Sequence, residues 1–169
     1  MRFLVKIDTL EEDTFAGFQF EKILIRHSTL RAIHANAFNN TANYTRQLAI
    51  TQSRLANEKG AGNEYDIFNV LSGFLNIEQI DLSGNSLQIV PKNAFRSLNT
   101  KQQKLAVVNL QENEIREIGN NAFTQLANLE QLALNSNQIS RVSTHAFDFF
   151  PSSRTICKFS CKDSLHLFN

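Results

Sequence analysis

One pattern is written twice between Leu105 and Phe150, and it restricts the possible folds more than any other feature of this chain. The copy at residues 105–128 aligns with the copy at residues 129–152 at an offset of 24 residues. Repetition at a fixed period is typical of proteins that stack one structural unit on the next, so that neighbouring units bury a continuous core. Nine positions match: Leu105 with Leu129, Val108 with Leu132, Leu110 with Leu134, Asn113 with Asn137, Ile115 with Ile139, Ile118 with Val142, Ala122 with Ala146, Phe123 with Phe147 and Leu126 with Phe150.

These matches define a template with apolar residues at positions 1, 4, 6, 11 and 14, asparagine at position 9, Ala-Phe at 18 and 19, and Leu or Phe at 22. A third copy runs from Ile77 to Leu98, with Asn85 and Phe95 in place, and starts 28 residues before the next copy. The four extra residues fall in the polar run 100–103, where a surface loop lengthens at little cost.

Upstream copies keep the apolar positions but carry Ser53 and Ser28 where asparagine is expected. We therefore predict about five and a half repeats in residues 1–152, the first of them truncated, which indicates a fragment or an incomplete gene product. One of these copies contains Leu48, Ile50 and Leu55, then an insertion at residues 57–63, then Phe68 and Leu71; the copy before it contains Phe20, Ile23, Ile25, Leu30, Ile33, Ala37 and Phe38; the first half-copy contains Ile7, Leu10, Phe15 and Phe18.

The spacing predicts the secondary structure of each repeat. Positions 3 to 5, such as residues 107–109, lie in a short alternating stretch whose flanking apolar side chains point one way, and they predict a half-buried strand that pairs in parallel with its equivalents. Positions 14 to 22 are too short for a full helix and predict turns or brief 3-10 segments. Asparagine at position 9 predicts a structural ladder of Asn85, Asn113 and Asn137, because an amide can satisfy buried backbone groups of its own turn and of the adjacent one.

The chain contains fourteen phenylalanines and no tryptophan. Six of the phenylalanines take position 19, so we predict that they form a stacked spine through the core rather than an aromatic ligand site. Each contacting aromatic pair adds about 0.5–1.5 kcal/mol beyond the burial of apolar area. The six are Phe15, Phe38, Phe68, Phe95, Phe123 and Phe147.

Composition narrows the class of protein. The chain has 169 residues, 42% of them apolar, and a net charge of +1, so no global charge points to nucleic acid or an anionic membrane. No run reaches the roughly 18 apolar residues that a membrane-spanning helix needs. The N-terminal residues MRFLVKI do not form a secretory signal, because their apolar run is short and contains Lys6.

The template resembles that of leucine-rich repeat proteins, specifically the 24-residue class common in extracellular proteins. The resemblance covers Ile7 to Phe150. It implies an α/β solenoid, a right-handed coil with a parallel β-sheet on its concave face and turns or 3-10 segments on its convex face. It also implies that ligands, usually proteins, are held on the concave face. The Ala-Phe pairs and the irregular repeat lengths resemble secreted arthropod proteins related to the non-catalytic subunit of oplophorus-luciferin 2-monooxygenase.

The C-terminal tail departs from that family. Extracellular members often end in a cap with four cysteines, whereas this tail has only Cys157 and Cys161. Counting onward places Ile156 at position 4, but Asp163 then falls on an apolar position. We interpret residues 153–169 as a degraded last repeat or a tail that is not native to the family, and we expect a structural role, or none, for the two cysteines.

The residues expected to face solvent on the concave sheet form a neutral polar strip with a basic corner. Such a surface suits recognition of a protein, while plain solvated sheet is the alternative. The candidate binding residues are Lys22, Arg26, His27, Arg46, Gln47, Thr51, Gln79, Asp81, Ser83, Asn109, Gln111, Glu112, Gln131 and Asn135.

Signatures of catalysis are absent from the sequence. The histidines His27, His34, His145 and His166 share no metal-ligand spacing with each other or with the cysteines, and we interpret them as surface residues. No nucleophile elbow, P-loop or dinucleotide fingerprint occurs. We therefore expect no enzyme activity, no cofactor and no metal.

Asn39-Asn40-Thr41 and Asn43-Tyr44-Thr45 match the acceptor pattern for N-glycosylation, which favours a secreted origin. The resulting prediction is an extracellular module that binds a protein, such as a secreted enzyme or a receptor, on its concave surface. A glycan is the weaker choice of partner, and nucleic acid is not expected. The alternatives are a non-catalytic subunit that stabilises a secreted, luciferase-like enzyme, and an intracellular leucine-rich repeat scaffold.

Overall fold

The computed structural model describes residues 7–57, 63–95, 104–124 and 126–148 and the backbone of residues 156–158. Thirteen short strands and one helix follow each other along this part of the chain. In chain order they are β1 (Thr9–Leu10), β2 (Lys22–Arg26), β3 (Ala32–Ile33), β4 (Gln47–Thr51), β5 (Ala56–Asn57), α1 (Ile67–Leu71), β6 (Gln79–Asp81), β7 (Ser86–Leu87), β8 (Ile89–Val90), β9 (Val107–Asn109), β10 (Glu117–Ile118), β11 (Gln131–Ala133), β12 (Arg141–Val142) and β13 (Ile156–Lys158).

The main sheet has six strands in the order β13-β11-β9-β6-β4-β2. Every pair in it is parallel, and each repeat contributes one strand, which confirms the predicted solenoid. The register aligns position 4 of neighbouring repeats, for example Ile80 with Val108 and Val108 with Leu132. All three of these side chains are buried. Because the same face is buried in each strand, a slip by one residue would expose the whole apolar row.

The opposite, convex side runs mostly as turns, as predicted. It also contains short parallel strands that the template did not predict: β12-β10-β8 form one sheet, β1-β3 a second and β5-β7 a third. The β12-β10-β8 and β1-β3 sheets lie around position 14, where buried Ile33, Val90 and Ile118 each follow a less buried neighbour, whereas β7 of the third sheet lies at positions 10 and 11. Two residues of alternation are enough for a parallel bridge between adjacent repeats.

Helix α1 is the second unpredicted feature of the convex side. Asp66 caps it, since the Phe68 N–H donates to Asp66 Oδ1 at 3.1 Å. Four of its five residues, Ile67, Phe68, Val70 and Leu71, are buried. The helix occurs in the repeat that carries the insertion, where extra chain is present between the strand and the closing residues. Burial of its apolar side, rather than its length, stabilises it.

The phenylalanine rings pack through the core, but not as one line of six. Phe95 stacks between Phe123, at a centroid distance of 5.4 Å, and the edge of Phe68, at 5.7 Å, and Phe147 extends this run. Near the N-terminus Phe15 stacks on Phe38 at 5.2 Å. The next ring after Phe38 is Phe74 at 5.7 Å, which the template did not assign to the spine. Among the described residues the prediction of a single spine is therefore wrong, because Phe68 lies in α1 while the other five lie in turns.

Asn85, Asn113 and Asn137 repeat one pattern of hydrogen bonds. Each side-chain oxygen accepts a backbone N–H of the preceding repeat: Leu55 for Asn85, Leu87 for Asn113 and Ile115 for Asn137, at 3.0–3.1 Å. Each Nδ2 donates to one carbonyl of the preceding repeat and to others of its own turn. All three asparagines are buried. Buried polar groups of two adjacent turns are thereby satisfied by one side chain.

Ser28 and Ser53 make a shorter set of bonds at the equivalent places. Their hydroxyl oxygens lie 2.8 Å apart, and the Ser28 N–H donates to Ser53 Oγ at 3.3 Å. The Leu30 N–H is served only locally, by Ser28 Oγ at 3.4 Å. A hydroxyl has a single proton to donate, so it spans fewer backbone groups than an amide.

The C-terminal strand β13 extends the main sheet by pairing with β11. Its register aligns Leu132 with Cys157, so Cys157, not Ile156, takes position 4. The predicted count was therefore one residue off. Cys161, His166 and the remainder of the tail lie outside the described residues, as do Leu98 and Phe150.

Candidate binding surface

We call the face of the main sheet that points away from the core the concave face. Strand alternation places positions 3, 5 and 7 on it, because positions 4 and 6 are buried. Seven of the predicted binding residues are exposed: Lys22, Arg26, His27, Arg46, Gln79, Glu112 and Gln131. Gln47, Thr51, Asp81, Asn109, Gln111 and Asn135 are half-buried, and Ser83 is buried, so Ser83 offers little to a partner.

Position 8 forms a row of left-handed residues at the end of the strands. His27, Gln52, Gly84, Glu112 and Ser136 all have φ between 49° and 66°. Each of the first four donates its N–H to a position 7 carbonyl of the next repeat, as His27 does to Thr51 at 3.1 Å. Only one of the five is glycine, so the chain accepts a local backbone cost to turn inward before position 9. Sequence spacing carried no signal for this row.

Two half-buried residues of the surface also hold the backbone. Asp81 Oδ1 accepts the Ser83 N–H at 3.0 Å, and Asn109 Oδ1 accepts the Gln111 N–H at 3.2 Å. These side chains bond two residues ahead, a geometry that Asp and Asn favour at turns. Gln79 and Gln131, by contrast, are exposed and flank Val107 on the strand between them.

The predicted basic corner is partly neutralised. Arg46 lies between two carboxylates, with Nε 3.6 Å from Glu21 and Nη1 3.4 Å from Glu78. Arg46 and Glu21 are exposed and Glu78 is half-buried, and surface ion pairs of this kind contribute little to stability. Lys22 and Arg26, on β2, make no ion pair within the described part of the chain and remain available to a partner.

Of the three described histidines, His27 and His34 belong to one repeat, at positions 8 and 15, and His145 lies four repeats further along. His34 is not a surface residue: its side chain is only 12% exposed, its ring edge meets Tyr65 and its Nε2 lies 3.6 Å from Glu64. The template placed it in a turn, but the turn packs against the segment before α1. His145 bonds Asp148 at 2.6 Å on the surface. No group of three or more potential metal ligands occurs among the described residues.

Both acceptor asparagines, Asn39 and Asn43, are exposed, whereas the threonines of the two motifs are fully buried. The Phe20 N–H donates to Thr41 Oγ1 at 2.6 Å, and Thr45 Oγ1 donates to the Phe20 carbonyl at 2.7 Å. The two threonines therefore satisfy the backbone just before β2. The acceptor pattern alone gave no hint of this structural role.

Some exposed apolar side chains were not anticipated. Ile7 and Phe18 occupy apolar template positions yet are 47% and 58% exposed. The template is wrong for this pair, since no described residue covers the outer side of the first half-repeat. Leu24 on β2, Tyr44 and Leu75 are also exposed. Phe18, Tyr44 and Leu75 each lie three or four residues before a strand of the main sheet, along one rim.

Three family models match the chain: a leucine rich repeat model at residues 103–156, a BspA type leucine rich repeat region at 1–58, and a further leucine rich repeat model at 76–98. Mouse (Mus musculus) podocan is 30% identical over 128 residues, covering 76% of this chain and 19% of podocan. Toll-like receptor 3 of Bos taurus is 37% identical, covering 42% of this chain and 8% of the receptor. Leucine-rich repeat-containing G-protein coupled receptor 5 of Rattus norvegicus is 40% identical, covering 46% and 8%.

Solved structures agree on the fold. A complex of TLR13 with ssRNA13 matches at a TM-score of 0.68 with 20% identity, covering 85% of this chain and 18% of that one. Human 5T4 (Wnt-activated inhibitory factor 1, trophoblast glycoprotein) matches at a TM-score of 0.54 with 15% identity, covering 90% of this chain and 65% of that one.

No described helix is long and apolar enough to cross a membrane. The chain spans at most 19% of the length of the three relatives named above. Repeats, family models and fold agree, and this chain is a leucine-rich repeat protein.

Proposed function

We propose that the chain is an extracellular, non-catalytic module that binds a protein partner on its concave face. The observation that carries this proposal is the contrast between inward-facing and outward-facing positions within each strand. Position 4 is a buried apolar residue in all five main-sheet strands from β2 to β11, and position 6 is buried in all but Ile25, whereas positions 3, 5 and 7 carry varied side chains that are mostly exposed or half-buried. A surface of variable side chains on a constant, pre-formed scaffold recognises a partner with little loss of conformational entropy on binding.

The chemistry of the concave face suits a polar protein surface. Its middle carries amides and hydroxyls, such as Gln79 and Gln131, which both donate and accept hydrogen bonds. Its β2 end carries Lys22 and Arg26, which favour an acidic patch on the matching end of the partner. The solved TLR13 structure contains single-stranded RNA. Binding to the phosphate backbone of a nucleic acid requires rows of Lys and Arg. Because the concave face of this chain carries Asp81 and Glu112 among its few cations, we propose a protein rather than a nucleic acid as its partner.

The extracellular and non-catalytic parts of the proposal have separate support. Two of the relatives are receptors by name, and the chain resembles each in only a small share of that receptor's length. None of the three relatives is an enzyme by name. These points favour a binding role over a catalytic role for the concave face.

Site-specific photo-crosslinking tests the proposal. A benzophenone amino acid is placed at Gln79 on the concave face or, as the matched control, at exposed Thr144 on the convex side. Each protein is mixed with the secreted proteins of its source tissue and irradiated. We expect a discrete covalent adduct from position 79 that competes away with unlabelled chain, and none from position 144. Adducts from position 144 alone would overturn the concave assignment.

A further inference from the structure

Two neighbouring turns are tied together on the rim of the array. The Asn76 Nδ2 donates to the backbone carbonyl of Asn43 at 2.8 Å, and the Lys104 Nζ lies 3.5 Å from Asn76 Oδ1. Tyr44 follows Asn43 in the chain, and Leu75 precedes Asn76. Both of these apolar side chains are 52% exposed. Tyr44 and Leu75 are thus both exposed on two turns that this bond joins, and each is next in sequence to one of the bonded residues.

Exposed apolar groups that gather at one place on a monomer mark a surface that something covers. The patch itself offers a covalent attachment point, because Asn43 is exposed and begins the acceptor motif Asn43-Tyr44-Thr45. The apolar C–H faces of a sugar ring pack on an aromatic ring and on aliphatic carbons, which removes both from water. A glycan attached to Asn43 would cover this patch without a separate binding partner.

We propose that Asn43 carries an N-linked glycan whose innermost sugars cover Tyr44 and Leu75. In the attachment step, Asn43 Nδ2 forms a bond to the anomeric carbon of a lipid-diphosphate-linked oligosaccharide. The bond from that carbon to the diphosphate breaks, the lipid diphosphate leaves, and Nδ2 loses one proton. This inference rests on the extracellular location in the proposed function, because the donor is met on the secretory route.

The fold restricts when the sugar is attached. Thr45, the third residue of the motif, is fully buried, and its hydroxyl donates its one proton to the Phe20 carbonyl at 2.7 Å, with the Thr41 carbonyl also within reach at 3.1 Å. An enzyme that must contact this hydroxyl reaches it only before the repeat closes. Attachment therefore precedes folding, and the folded protein is not a substrate. The finished glycan lies on the rim, which leaves the outward residues of the main sheet open.

The first test is the mass of the intact protein secreted from a eukaryotic host behind a supplied signal peptide. We expect one oligosaccharide increment that Asn43→Gln removes and that Asn39→Gln, the matched control four residues away, retains. Thr45→Ser keeps the acceptor motif and a hydroxyl for Phe20, so it should retain the increment too. A protein without an increment, or one that loses it in Asn39→Gln instead, overturns the proposal.

The second test asks whether the sugar covers the patch. The chain has two tyrosines and no tryptophan, so Tyr65→Phe leaves Tyr44 as its only strong fluorophore. We expect acrylamide to quench Tyr44 roughly twofold less in the glycosylated protein than in its Asn43→Gln counterpart, because packing against the sugar shields the ring. Equal quenching would show a glycan that points away from Tyr44 and would overturn the covering role. Protein made in bacteria carries no glycan, so photo-crosslinking at Gln79 reports on the concave face separately.

Discussion

Gln52 donates from Nε2 to Glu112 Oε2 at 3.4 Å, across a whole intervening repeat. Gly84, the residue of that repeat at the same position, lies beneath the bond. A Cβ at Gly84 would sit 2.4 Å from Gln52 Nε2. Of these three consecutive left-handed residues at position 8, Gln52 is the donor, Gly84 leaves room for the bond and Glu112 is the acceptor. The absence of a side chain at Gly84 lets a polar contact run between residues that are 60 positions apart.

Gly84→Ala tests this arrangement. The new methyl group meets the Gln52 amide, which is flexible enough to move, and the φ of +66° costs an L-residue about 1–2 kcal/mol. We expect the free energy of unfolding in urea to fall by about that amount. Gly73→Ala is the matched control, because its added carbon finds only ordinary contacts at 3.6 Å and beyond. Equal midpoints for the two variants would contradict the interpretation of Gly84.

Asn113→Ala tests the asparagine pattern. The change leaves the Leu87 N–H and the Leu82 and Leu110 carbonyls without this partner in a buried setting. Each unsatisfied buried group costs about 1–3 kcal/mol, so we expect a loss of at least that size in chemical denaturation. Asn135→Ala, at a half-buried outward position two residues before Asn137, should change stability by less than about 0.5 kcal/mol. Similar losses of stability in both variants would contradict the claim that the Asn113 side chain stabilises the fold by satisfying buried backbone groups.

Ser53→Asn should strengthen the N-terminal repeats. By analogy with Asn85, the longer amide places Oδ1 near the Leu30 N–H, which Ser28 now serves at 3.4 Å. The Ser28–Ser53 hydroxyl contact is lost, while additional backbone groups are satisfied. We expect a gain of about 0.5–1 kcal/mol and slower amide hydrogen exchange in β2 and β3. Faster exchange there would mean that the amide does not fit.

Asp66→Asn tests the pH dependence of stability. Burial raises the pKa of Asp66, and the hydrogen bond from the Phe68 N–H opposes this shift without cancelling it. Because the folded pKa exceeds the unfolded one, the contribution of Asp66 to stability is fully present below the unfolded pKa and is lost as pH rises through the folded pKa. Asparagine still caps α1 but does not titrate. Wild type should therefore gain stability relative to the variant as the pH falls from neutral to about 4. A difference that stays constant with pH would contradict this.

Much of the fold could be predicted because the constant residues face the core. Val108, Leu132 and their equivalents carry a period that only a stacked solenoid satisfies, and Asn113 and Asn137 mark the inward turn. The sequence could not predict which ring follows Phe38, since the insertion before Phe68 allowed a helix to form and left Phe74 in contact. Residues inside that insertion were likewise unassigned, yet buried Asn57 binds the backbone of Gln88 and Ile89.

The candidate surface was harder to predict than the core. Alternation identified outward positions such as Gln79 and Gln131, because a strand has only two faces. It could not show that Arg46 is held between two carboxylates or that Ser83 is buried. Those outcomes depend on the lateral neighbours from other repeats, and the template describes only one repeat at a time.

The most direct test of the central claim compares partner binding by concave and convex variants. The partner is the protein captured from position 79, and binding is measured by surface plasmon resonance with chain made in bacteria. The double variant Gln79→Arg, Gln131→Arg should weaken binding at least about tenfold, or 1.4 kcal/mol, with an unchanged thermal midpoint. Thr144→Arg should bind as the wild type does. Unchanged binding by the double variant, or a loss confined to Thr144→Arg, would contradict a concave recognition surface.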